Sequence, residues 1–160
     1  MVPGVFAVSM PKATGPHSAA SLPGDSEIRQ ERHKGQLVLV EPDASVRDAL
    51  TVLLRGEGWE VLAAADCRDL PAVIDTGGLT AVISESSLPD CAPQDILEQC
   101  AKRGVPVVFT GHDLPLQGAV DLIRQGAADF LDKPFPQSRL LELLDWLSDR
   151  QNGRIQPQPK

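Results

Sequence analysis

Glu41, Asp43, Glu85, Thr110 and Lys133 are the residues whose types could do chemistry together. All stand at or just after the end of a short apolar run. Glu41-Pro42-Asp43 follows "QLVLV" (36–40), and Glu85 follows "TAVIS" (80–84). Thr110 closes "VPVVFT" (105–110), and Lys133-Pro134 follows "ADFLD" (128–132). Carboxylates gathered around a lysine and a hydroxyl make a charged pocket. The carboxylates can hold a cation, and the lysine can pair with a carboxylate or contact an anion. One polar strand end is ordinary; four that complement one another are much less so.

Such a pocket exists only if the runs lie side by side. "QLVLV" is too short for a helix and continuously apolar, as in a strand buried on both faces. Val46, Ala49, Leu50, Leu53 and Leu54 then fall at i, i+3, i+4, i+7 and i+8, one helical face that ends at Gly56 and Gly58. "WEVLAA" (59–64) is the second strand, and a weaker helix with Leu70, Val73 and Ile74 inward stops at "TGG". After the third strand and the loop "ESSLPDCAP", Pro93 suits the first turn of a helix running to Lys102. Leu116–Gln125 is the fourth helix, stopped by Gly126, and Ser138–Asp149 the last, with Leu140, Leu143, Leu144 and Leu147 on one side.

Five strand–helix units in alternation predict an α/β fold, a doubly wound parallel sheet with helices on both faces. In such sheets the working crevice lies beyond the carboxyl ends of the strands. The domain is expected over 36–150, flanked by disordered tails at 1–35 and 151–160 that are polar or rich in Pro, Gly, Ser and Ala.

At residues 36–148 the chain resembles the receiver domain of two-component response regulators. The resemblance is carried by "LVLVEPDASVRDAL", "SSLPD" after a strand, "PVVFTGHD" and above all "GAADFLDKPF". It implies a flavodoxin-like (βα)5 fold with strand order 2-1-3-4-5. In that family an aspartate ending the third strand accepts phosphate from a histidine kinase, and an acidic pair after the first strand helps hold Mg²⁺. Laid on this sequence, the phosphoacceptor position falls on Glu85 and the acidic pair on Glu41 and Pro42. The phosphate-sensing hydroxyl and lysine fall on Thr110 and Lys133, and the aromatic switch on Phe130. The bond before Pro134 is expected to be cis.

The pattern breaks at the chemistry. Glu85 replaces the acceptor aspartate, and Pro42 replaces a metal-ligating acid, with Asp43 one step beyond the usual position. Mg²⁺ demands near-octahedral oxygen geometry, so its binding is expected to be weak or absent and no residue is assigned as a metal ligand. Phosphoryl transfer depends on positioning and charge neutralisation, and the longer glutamate also misplaces the attacking oxygen. The chain is therefore expected to be an atypical receiver and not an enzyme, with no catalytic residues. Glu85 would act as a built-in anion directed at Lys133 and Thr110, or else as an inert solvated loop residue. The alternative is a Mg²⁺-dependent phosphoacceptor receiver phosphorylated by a histidine kinase.

The resemblance also implies a signalling protein as partner: a histidine kinase, a phosphotransfer protein or a downstream regulator. The contact face would be the fourth helix, fifth strand and fifth helix, through which a homodimer could also form. Trp146 and Leu122 could extend an apolar patch there. The ten residues after 150 hold no output domain, so a stand-alone receiver is expected. Fifteen basic and 22 acidic residues give −7, and 36–150 alone, with nine basic and nineteen acidic, carries −10. Such a surface argues against nucleic acid. No glycine-rich phosphate loop follows the first strand, which argues against a dinucleotide. No apolar run nears the ~20 residues that span a bilayer. Cys67, Cys91 and Cys100 are expected to be free thiols in a cytoplasmic protein, and Cys91 and His112 to be silent loop residues.

Overall fold

Residues 33–153 are described by the computed structural model; the predicted tails, apart from their inner edges, lie outside them. Strands and helices alternate: β1 (Gly35–Val40), α1 (Ala44–Gly56), β2 (Trp59–Ala64), α2 (Leu70–Asp75) and β3 (Leu79–Glu85). They continue as α3 (Pro93–Ala101), β4 (Val107–Gly111), α4 (Leu116–Arg124), β5 (Asp129–Asp132) and α5 (Gln137–Gln151). All strand pairs are parallel, in the order β2-β1-β3-β4-β5. The predicted α/β architecture and strand order are those observed.

The period of two along the strands divides the core. Leu37 and Leu39 of β1, with Ala81 and Ile83 of β3, face α1 and α5, where Leu54, Leu140 and Leu144 meet them. Val38, Val40 and Val82 point the other way, toward Leu70, Ile74, Ile96, Cys100 and Leu122 on α2, α3 and α4. That two-sided burial explains the unbroken apolar runs Leu37–Val40 of β1 and Ala81–Ile83 of β3. Edge strand β2 instead alternates at its start, with Trp59 and Val61 buried and Glu60 and Leu62 exposed.

Three expectations need correction. Ala49 lies exposed, because the buried stripe of α1 runs through Leu50 and Leu54, flanked by Val46 and Leu53. Leu122 is no surface patch residue: at 4% exposure it belongs to the core beneath α4. Cys67 and Cys91 are not free thiols but are joined in a disulfide, leaving Cys100 free and buried.

The ends of the chain's domain are fastened together. Lys34 pairs with Asp145 of α5 at 3.2 Å, and Gln151 donates to the Thr80 carbonyl at 2.8 Å. This clamp lies at the amino ends of β1 and β3. The carboxyl ends of the same strands are thereby left to the loops that carry the polar residues.

Candidate functional site: an acidic pocket closed by Lys133

Glu41, Glu85, Thr110 and Lys133 meet at the carboxyl edge of the sheet. Glu85 is the last residue of β3 and stands beside Thr110 of β4 in the strand register. Both are buried, Thr110 to 2% exposure and Glu85 to 9%. Lys133, one residue past β5, extends its ammonium between two carboxylates. Its Nζ lies 2.6 Å from Glu41 Oε1 and 2.9 Å from Glu85 Oε1.

The remaining carboxylate oxygens are also engaged. Glu41 Oε2 accepts the Asp43 N–H at 3.0 Å. Glu85 Oε2 accepts the Ser86 N–H at 2.8 Å, with the Ser86 hydroxyl and the Ser87 N–H each at 3.4 Å. Two buried carboxylates and one ammonium leave a formal excess of one negative charge, spread over these N–H and O–H donors.

Lys133 is subject to opposing effects. Burial pulls its pKa down, but hydrogen bonds to Glu41 and Glu85, reinforced by their charges, outweigh that and hold it above the ordinary lysine value. The ammonium is therefore the form present at neutral pH.

The turn between β1 and α1 is built by other contacts. Arg47 donates to the Glu41 carbonyl at 2.7 Å and the Pro42 carbonyl at 3.3 Å. Asp43 caps α1, its Oδ1 accepting from the Ser45 and Val46 N–H groups at 2.9 and 3.2 Å. Pro42 is exposed and offers no side-chain oxygen. Of the three positions read as an acidic remnant, only Glu41 turns into the pocket.

Thr110 makes no side-chain hydrogen bond to either carboxylate among the described residues, so of the two phosphate-sensing positions Glu85 pairs with Lys133 and not with Thr110. Phe130 is half-buried against the α2–α3–α4 side of the core. A side chain at Gly111 would meet Ser86 Oγ at 2.6 Å, Phe130 Cζ at 3.1 Å and Glu85 Oε2 at 3.3 Å. Gly111 thus lets the Phe130 ring and the Ser86 hydroxyl approach the pocket from two sides. Ser86, Gly111 and Arg47 were not legible as site residues; a glycine ending an apolar strand was the one available signal. The Lys133–Pro134 bond is cis. Trp146 packs at the margin of the α1–α5 core with the Arg150 guanidinium 5.2 Å above its ring, and His112 is an exposed loop residue.

The family model for the response regulator receiver domain matches residues 37–145. The chain belongs to the response regulator receiver family. The transcriptional regulatory protein FixJ of Bradyrhizobium diazoefficiens is 30% identical over 116 residues, 70% of this chain and 56% of that protein. The C4-dicarboxylate transport transcriptional regulatory protein DctD of Pseudomonas aeruginosa is 35% identical over 119 residues, 67% of this chain and 24% of that protein. The receiver therefore spans about half, or less, of the curated relatives it matches. Among solved structures, a receiver domain protein from Clostridium thermocellum superposes with a TM-score of 0.69 at 19% identity, covering 75% of this chain and 98% of that one. That likeness shows the fold. Among the described residues no helix is long and apolar enough to cross a membrane.

Proposed function

We propose that this receiver acts in two-component signalling by protein–protein contact, with a carboxylate of its own standing where relatives place a phosphoryl group and a metal. The observation that carries the reading is the Lys133 ammonium held between Glu41 and Glu85, at 2.6 and 2.9 Å. The phosphate-sensing lysine already has an anion, and that anion is covalently part of β3.

The donor set also fits Mg²⁺ poorly. An octahedral cation at about 2.0–2.1 Å needs free oxygens and keeps several waters. Here each carboxylate oxygen of Glu41 and Glu85 already has a donor, and position 42 supplies only a carbonyl that Arg47 binds. A cation entering this pocket would have to displace Lys133. Mg²⁺ binding is accordingly weak, and phosphorylation is not what sets the state of the domain. Its partners are signalling proteins of the pathway, a histidine kinase, a phosphotransfer protein or a downstream regulator. They meet the face of α4, β5 and α5, where Leu116 and Ile123 are exposed. The acidic surface keeps nucleic acid away from this domain.

Incubation of the chain with a small acyl phosphate and Mg²⁺, followed by intact-mass measurement, tests this. The expected result is no phosphoryl adduct. A hydroxylamine-labile adduct mapped to residues 84–91 would instead establish a Mg²⁺-dependent phosphoacceptor.

A further inference from the structure

The acidic pocket leaves Cys67 and Cys91 unexplained. Cys67 lies in the loop between β2 and α2 and Cys91 in the loop between β3 and α3, 24 positions apart. Their Cα atoms are 6.7 Å apart, within the range a disulfide spans, and their sulfurs are bonded. Besides that bond, the Cys67 N–H donates to Asp90 Oδ2 at 3.3 Å, so the two loops are fastened twice within two residues. Both cysteines are partly exposed, within reach of a small reagent. Cys100 is the internal contrast: on the buried face of α3, with its thiol pushed up by burial to about 12, it is shielded and unreactive.

We infer that Cys67 and Cys91 form a reversible thiol–disulfide site that fastens or releases the loop following Glu85. The co-reactant is a small disulfide. The thiolate of one cysteine attacks a sulfur of that disulfide, expels one small thiolate and forms a mixed disulfide. The thiolate of the other cysteine attacks the protein sulfur of the mixed disulfide and expels the second. Two electrons pass from the cysteine pair to the small disulfide, and the two protons lost by the cysteines end on the two small thiols. A small dithiol runs the sequence backward.

The site has a physical route to the pocket. The same loop, residues 86–92, supplies the Ser86 and Ser87 N–H groups that face Glu85 Oε2 at 2.8 and 3.4 Å. Oxidation anchors its far end at Cys91, six residues after Glu85, and reduction leaves the hydrogen bond to Asp90 to hold it. The site does not depend on how the pocket is used, since its chemistry needs only the two loops.

The test uses the wild-type chain equilibrated with glutathione disulfide or with dithiothreitol, then denatured, alkylated with iodoacetamide and weighed intact. One label is expected in the oxidised sample, on Cys100, and three in the reduced one. Returning the reduced chain to glutathione disulfide should restore the one-label state. Hydrogen exchange of the 86–92 amides should be slower in the oxidised chain. Three labels after oxidation, a bridge that includes Cys100, or a bridge between two chains would overturn the site. So would stoichiometric Zn²⁺ uptake by the reduced chain that blocks reoxidation, since Cys67, Asp90 and Cys91 would then be a metal site. Equal exchange of the loop in both states would overturn its coupling to Glu85.

Discussion

The Lys133 ammonium lies 2.9 Å from Glu85 Oε1, although 48 residues separate them, and both side chains are nearly buried. Only a parallel arrangement of β3, β4 and β5 brings those two strand ends to one edge. Because Glu41 shares the same ammonium, the three side chains form one unit whose members cannot be removed independently.

Removing Lys133 should therefore be the most damaging change at the site. Lys133→Met leaves two buried carboxylates without a counter-charge, a loss of about 3–5 kcal/mol in stability for a broken buried pair. Glu85→Gln should cost much less, because Lys133 keeps Glu41. Urea unfolding of the two variants checks the order. Equal losses would mean that Glu41 and Glu85 do not share the lysine.

The pair should also set an alkaline limit. The pKa of Lys133 is raised on folding above the ordinary 10.5. Its contribution is therefore complete below that value and disappears as pH rises through the higher folded-state value. An NMR titration of the Lys133 side chain should show its midpoint above those of the exposed lysines.

Asp43 is predicted to serve the helix and not the pocket. Asp43→Ala should lower stability by about 0.5–2 kcal/mol through loss of the cap, and Asp43→Asn much less. Thermal or urea unfolding reads this directly. Neither change should alter Mg²⁺ affinity.

Gly111→Ala should push against Ser86 Oγ, Phe130 and Glu85 together. The expected loss is about 1–3 kcal/mol, as for overpacking. The nearest obstacle is the Ser86 hydroxyl, so adding Ser86→Ala should recover part of it, a coupling that a double-mutant cycle measures.

Much of this was legible in the residues. The apolar runs in β1, β3 and β4 and the glycine stops made the alternation of elements readable, because burial on both faces confines polar residues mostly to the strand ends. Lys133 and Glu85 could be placed at one edge from strand order alone. The fate of Asp43 could not, since a carboxylate after a strand serves equally as ligand or helix cap until the turn is built. Leu122 read as a surface residue because a helix shows its apolar side without showing what lies beneath. The Cys67–Cys91 pairing was invisible for a similar reason: loop paths, not cysteine spacing, decide which sulfurs meet. Ser86 acts mainly through its backbone N–H, which every non-proline residue has.

Calorimetric titration of the chain with Mg²⁺, beside Pro42→Asp/Glu85→Asp, reads whether Lys133 already occupies the place of the metal. If Lys133 and its two glutamates already satisfy the pocket, the wild-type chain gives no saturable heat through the millimolar range, and the double variant, with acids restored at both positions, takes up the ion. Saturable micromolar binding by the wild-type chain would mean that the pocket is open to the metal and that Lys133 does not close it.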